Sequence, residues 1–570
     1  MQKTAHASAS CCQNPFWIDL RSLGCFRIAI ALVLLYDVLV RLWDLTAFYL
    51  PGGAISAEIV RQSHQGTWAW SLNLWFDSSG WQLLLWGIRL VAAGALLVGF
   101  RSRLSAAIAW LLTVSLHTAT PMMVTGGDVL LGMMLFWSIL LPVGSRLSID
   151  ACRGVGQTRA QWICSWATVG VILQLVVMYW YTGIAKCNPT WFSGDALELA
   201  LADGALTRGF GDLMLLFPGL LKVSSWFTLV VEFGCPLLIL WPGRSRWPRT
   251  IGLLSLVALH VGIELSMNVL IFSFAALAAL IILSPGQWWR WLERTDAGEQ
   301  ESEQAGRAPF WESLVAVSCL SLVLLYNVLM LVFSAPLPSP VQLVARLTSA
   351  AHWDQRWDMF KDPEQLNYRF VMRGRLANGR TIDLARGEPL PTAGEPPRPK
   401  VPMKFATSRR VLLFRELARP NYIVFRPQIG QWLAERWNTE HAKDDRLLEL
   451  ELFLFVGSGR QGPVQAQLLF YYDTRASGNY RLGVREGLWV MRDDKGGKIA
   501  RGHYREGLEE GPWIYWDGKG NRTMAGEFRE GLDAQGQVIS LEHGQWTYYF
   551  SDGRKRHVRY KDGKVIEESP

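Results

Sequence analysis

Up to about position 335 the apolar residues come in long blocks, and polar residues are confined to short stretches between them. Nine blocks stand out: 23–42, 81–100, 104–121, 129–143, 162–184, 225–240, 251–265, 269–283 and 311–333. A helix needs roughly 20 apolar residues to cross a bilayer, so the pattern predicts an α-helical polytopic membrane protein of about nine spans. The block 129–143 and the adjoining pair after Ile251 are short for a straight crossing, and merging that pair would invert everything downstream.

After Pro336-Leu-Pro-Ser-Pro340 the pattern changes to that of a soluble α+β region over 341–456. Residues 368–376 and 380–384 flank Asn378-Gly379 and predict a β-hairpin, since Asn-Gly suits a tight primed turn. The segment 389–402 is a proline-rich linker or long loop, 408–417 and 429–437 have helical periodicity, and 447–456 fits a strand or an amphipathic element.

The last hundred residues repeat. Gly487-Leu-Trp489, Gly511-Pro-Trp513 and Gly544-Gln-Trp546 are each followed by Gly-x-Tyr/Phe-x-x-Gly or a variant: Gly502 to Gly507, Gly526 to Gly531, then Val558 to Gly563. The tryptophans are 24 and then 33 residues apart, with an insertion around 532–543. Aromatic strands punctuated by glycine turns cannot bury a face singly, so they stack as a ribbon of hairpins. That predicts a β-hairpin repeat module over 480–566, and the unit resembles MORN-type repeats.

Composition narrows the class further. At 570 residues the chain is too long for one core, and with half its residues apolar, 19% charged and 28 tryptophans it is neither disordered nor wholly soluble. A net charge of +8 would suit an anionic partner, but the basic residues sit in alternate short loops. Arg101 and Arg103 follow the second block, Arg146, Arg153 and Arg159 the fourth, Arg244, Arg246 and Arg249 the sixth, and Arg290, Arg294 and Arg307 the eighth. Such placement orients spans and points to lipid, not nucleic acid. It predicts a cytoplasmic N-terminus in the cell (inner) membrane and a C-terminal region on the outer side. Residues 1–15 show no signal-peptide pattern. The eight cysteines show no metal-type spacing and all precede the soluble region, so neither a disulfide framework nor a metal site is expected.

Ionisable residues inside spans are costly and therefore candidates for function. Arg27, Asp37 and Arg41 share the first block, and Asp37 with Arg41 also fits a plain i,i+4 pair. Arg89, His117 and Glu232 stand alone in theirs, where interhelical hydrogen bonding is the bland account. Asp128, in Thr125-Gly-Gly-Asp128, suits an N-cap. His260 and Glu264, four apart, share a helix face as a proton relay or a hydrogen-bonded cluster. Lys186 closes the fifth block ahead of Asn188-Pro-Thr-Trp191. It is either a snorkelling anchor or, under Trp180, Tyr181 and Trp191, a desolvated amine able to act as a base.

Several of these positions carry a resemblance. Phe26-Arg27 with Asp37, Arg103-Leu-Ser105, and the series Gln174, Tyr179, Gly183, Lys186, Trp191, Gly194, Glu198 are similar to the HTTM group, the bacterial relatives of vitamin K-dependent γ-glutamyl carboxylase. So are Arg249 to Gly252, His260, Phe272-Ser-Phe274, Trp357-Asp-Met359, Asn378-Gly-Arg380 and Ser408-Arg-Arg410, a match running over about 16–456. The resemblance implies a transmembrane domain over 16–335 and a reduced naphthoquinone (vitamin K hydroquinone, or menaquinol) deprotonated by Lys186. It further implies oxygen and carbon dioxide as co-substrates and a peptide or protein substrate on the outer side. The carboxylases carry a histidine at about Gly127, where this chain has no side chain. Two functions are therefore expected: a quinol-dependent, oxygen-using epoxidase/carboxylase at the outer face, or a non-catalytic envelope scaffold displaying the repeats.

Overall fold

The computed structural model describes residues 14–569 apart from 156–159, 203, 205, 243–246, 294–308, 334–336, 351, 354, 356, 358, 362, 364–365, 393, 395, 398–407, 459–463, 482 and 534. Each apolar block contains a helix: α1 Leu20–Leu42, α2 Ser79–Val98, α3 Ser102–Ala119, α4 Gly126–Leu140, α5 Trp166–Ala185, α6 Pro218–Ile239, α7 Trp247–Ser266, α8 Phe272–Leu280 and α9 Phe310–Val332. Six of them (α1, α2, α5, α6, α7 and α9) are long and apolar enough to cross a membrane. By contrast, α3 carries Arg103 and His117, and α4 and α8 are short. Most of α4 is buried on every side, as befits a helix apolar all round.

Local signals set the helix starts. Asp19 caps α1 by accepting from Arg21 N at 2.8 Å. Ser165 and Thr168 form a capping box that starts α5 at Trp166. Trp162–Ile163, assigned from sequence to that span, instead pairs as a short strand with Ile18–Asp19. Helix α6 begins at Pro218, seven residues before its apolar block, because a proline fits the first turn and Lys222 pairs with Asp195.

The helix ends sort into two faces. On one, the Asp150 carboxylate accepts from Arg101 N and Ser102 N, Arg103 pairs with Glu312, and Arg249 donates to Leu283 O. The basic loops gather there, although Arg159, Arg244, Arg246, Arg294 and Arg307 lie outside the described residues.

On the other face sits the region after α9. It comprises α10 Ser339–Ala350, α11 Ser408–Leu417, α12 Arg426–Glu440 and the strands β1 Leu366–Leu376, β2 Thr381–Asp383, β3 Glu388–Pro389, β4 Leu447–Ser458 and β5 Val464–Asp473. The sheet order is β3-β2-β1-β4-β5, all antiparallel. Helix α10 was hidden by its prolines, but Pro340 occupies the first turn, where a missing N–H costs nothing. The expected hairpin forms, though not with a primed turn. Gly379 N donates to Leu376 O at 3.0 Å, and Gly379 alone in the loop takes positive φ, so a longer turn ends in a left-handed glycine. Half of the proline-rich segment 389–402 lies outside the described residues.

This region is soluble in composition but not detached. Phe48 packs on Trp432 at 6.2 Å, Thr118 bonds His352, and the buried core runs without a break from α1 to β5.

The C-terminal strands β6 Ala476–Arg481, β7 Val484–Arg492, β8 Lys498–Arg505, β9 Leu508–Trp516, β10 Arg522–Leu532, β11 Val538–Tyr549, β12 Lys555–Lys561 and β13 Lys564–Ser569 form one antiparallel meander. Each repeat tryptophan lies on a glycine: a Cβ at Gly478, Gly502 or Gly526 would stand within 2.4 Å of the ring of Trp489, Trp513 or Trp546. Each indole N–H then donates to the carbonyl after that glycine, from Asn479, His503 and Glu527. The array thus starts one strand earlier than the repeats suggest, at Ala476, and the 532–543 insertion simply lengthens the β10–β11 hairpin.

Candidate functional site

Lys186 is the C-cap of α5 and is only 4% exposed. A snorkelling lysine would turn its amine outward; this one turns inward. Nζ lies 2.8 and 3.1 Å from the two oxygens of Glu232 on α6 and 5.4 Å from the Trp191 ring centre. Glu232, which looks isolated in sequence, is therefore the carboxylate partner that Lys186 lacks locally. Gly183 lets the two helices meet there, since a Cβ would already touch Phe233 at 3.1 Å. Trp191 closes the end of the site and is held by its indole N–H to Phe360 O at 2.9 Å.

Two turns below Lys186 on the same helix face, the Tyr179 hydroxyl meets His260 Nε2 at 2.8 Å. His260 lies within electrostatic reach of Lys186, and Tyr179 within that of Glu232. His260 Nδ1 is buried and has no hydrogen-bond partner among the described residues. The expected relay between His260 and Glu264 does not form. Glu264 pairs with Arg208 at 2.5 Å at the partly exposed end of α7, because one helical turn carries it past the buried layer.

A second buried cluster lies around α1 and α4. Arg41 binds Asp37 at 2.7 Å, Asp128, and the Tyr49 hydroxyl at 2.9 Å. Asp128 is the third residue of a capping box whose N-cap is Thr125, not the cap itself. Arg409 of α11 completes the cluster, 2.6 Å from Asp37 and 3.3 Å from Asp128. His117 stands 3.7 Å from Asp128 and faces a cavity of about 340 Å³ shared with His64, His352 and Tyr422. Burial, reinforced by His64, pushes the His352 imidazole down to about 4, and its Nε2 lies 2.8 Å from the Thr118 hydroxyl. Arg27 is elsewhere, buried at the opposite face and donating to Leu147 O.

Gly127 faces backbone. A Cβ there would stand 2.5 Å from Phe272 N and 2.7 Å from Phe272 Cα, so α4 and α8 close on each other only because this residue has no side chain. A histidine at this position is excluded by that contact.

Sequence reasoning missed Arg409, Glu232 as a partner, and the Gln174–Gln355 contact that ties the later region into α5. One signal could have found two of them: spans carrying unmatched charges of opposite sign.

The arrangement defines a polytopic helical membrane protein with an amine–carboxylate pair sealed in its core. Over residues 17–288 the chain is similar to the HTTM domain, the description of the family model that matches there. No curated protein and no solved structure matches the chain.

Proposed function

We propose that the protein is a membrane enzyme that deprotonates a lipid-soluble quinol at the Lys186 end of the helical domain. The observation that carries this reading is the burial of the Lys186 amine against Glu232, beneath Trp191. In a dry site a proton can pass from ammonium to carboxylate, and the resulting neutral pair places a free amine where water cannot compete. His260 Nδ1, buried without a partner among the described residues, suits a second hydroxyl of the ligand, with Tyr179 fixing the ring through Nε2. A reduced naphthoquinone would supply the acidic hydroxyl and the electrons, with oxygen as acceptor. Lys186 takes the quinol proton, Glu232 keeps the proton that the ammonium gave up, and Trp191 excludes water. Glutamate carboxylation is left out of the proposal, because position 127 has no room for an acid–base side chain. The charge bias of the loops supports a reading in which this end of the helices lies outside the cytoplasm.

Purified protein in nanodiscs, given vitamin K hydroquinone or menaquinol, should consume oxygen and release the epoxide or quinone. Lys186→Arg, which keeps the charge but does not deprotonate, should lower turnover at least a hundredfold while the protein still inserts. Equal turnover by both would remove the base. A wild type inert towards every quinol would favour the second reading, a scaffold displaying the eight-stranded array.

A further inference from the structure

The described residues of 187–217, between α5 and α6, fold back over the end of the helical domain at which Lys186 lies. Their inner side is tightly built. Leu201, Leu221 and Met267 form a buried cluster of their own, and a Cβ on Gly211 would stand 2.3 Å from Ser266 O. Arg208 is tied to Glu264, and Thr207 bridges Met267.

The outer side of this cap is apolar. In and after the short helix Gly209–Met214, Phe210, Leu213, Leu216 and Phe217 are 44–72% exposed. Phe210 and Leu213 follow the i, i+3 spacing of one helical face, Asp212 points away from it, and Phe217 lies beyond the helix end, just before α6. The strip continues directly into Leu220, Val223, Phe227 and Val230, the outward flank of α6, which as a span faces lipid. Beside it the half-exposed Lys222–Asp195 pair, at 3.3 Å, suits the headgroup level, where a lysine stem lies on apolar surface and its amine reaches outward. A water-facing surface rarely carries so continuous an apolar strip.

We propose that this cap is a wedge seated in the headgroup–acyl boundary of the leaflet at the Lys186 end, and that ligands reach Lys186 along it from the bilayer. The wedge stands on its own; the route rests on the quinol reading and confines the ligands to lipid-dissolved amphiphiles. An apolar helical face beside charged groups partitions to this boundary, and Phe192, 59% exposed next to buried Trp191, joins the wedge to the closed end of the site.

The full chain in nanodiscs, with its other reactive cysteines changed to serine, tests both parts. A fluorophore on Leu213→Cys should be quenched by acyl-chain spin-labelled phosphatidylcholine at least twofold more than the same fluorophore on Gln535→Cys in the array. Aqueous iodide should show the reverse order. Quenching of position 213 by iodide and not by the lipid would overturn the wedge. Phe210→Glu with Leu213→Glu should lower turnover of a long-tailed quinol at least tenfold and leave a tail-less quinol in detergent unchanged. Equal effects on both quinols, or none, would overturn the route. Absence of wild-type turnover would sink the quinol reading and the route together, while the quenching comparison still decides the wedge.

Discussion

The Lys186–Glu232 pair makes a sharp demand at the scale of single residues. Removing one partner from a buried ion pair strands the other charge and costs about 3–5 kcal/mol, whereas replacing both by apolar groups is often neutral or better. Glu232→Gln should therefore lower the thermal stability of the solubilised protein by roughly that amount, and Lys186→Met with Glu232→Leu should recover most of it. A Glu232→Gln variant as stable as wild type would instead mean that the amine is already neutral. Sequence showed Lys186 to be unusual but not why, because its partner lies 46 residues away on another helix. The charge on Glu232 was legible; the geometry joining the two was not. The same gap separates His260 from Glu264, where correct spacing on one helix says nothing about what the neighbouring helices offer.

Elements were far more legible. Long apolar blocks admit few alternatives once the backbone must satisfy its own hydrogen bonds in lipid, so the helices fall where the blocks are. The misjudged starts have local causes: a proline in the first turn at Pro218 and Pro340, and a strand pair taking Trp162–Ile163. The repeats exposed the hairpins but not the packing rule within them, namely one glycine beneath each indole. Gly502→Ala places a methyl within 2.1 Å of the Trp513 ring, so the array should lose about 1–3 kcal/mol, the usual cost of overpacking. Gly518→Ala meets only a carboxylate oxygen at 3.5 Å and should be nearly silent. Hydrogen exchange across β8–β10 would read the difference, and similar exchange in the two variants would discard the rule.

For the whole molecule, the boundary between membrane domain and soluble region is compositional rather than structural. Arg409 belongs by sequence to the later region and by contact to Asp37 and Asp128. A chain ending after Asp473 should therefore purify as a single monodisperse species, and one ending after Phe333 should not. Size-exclusion profiles of the two decide the matter, with equal behaviour counting against a shared core. The proposed orientation is tested separately: alkaline phosphatase fused after Pro570 should be active, and inactivity would place the array in the cytoplasm.

Arg409 also sets a clock on biogenesis. It is translated 281 residues after Asp128; at about 5–20 residues per second the ribosome needs roughly 15–60 s to cover that distance. Throughout that interval the nascent helices hold two acidic groups and, in this cluster, one guanidinium less than the finished protein. The early spans must wait in the insertion machinery, or half-assembled beside it, until the late segment arrives to neutralise them.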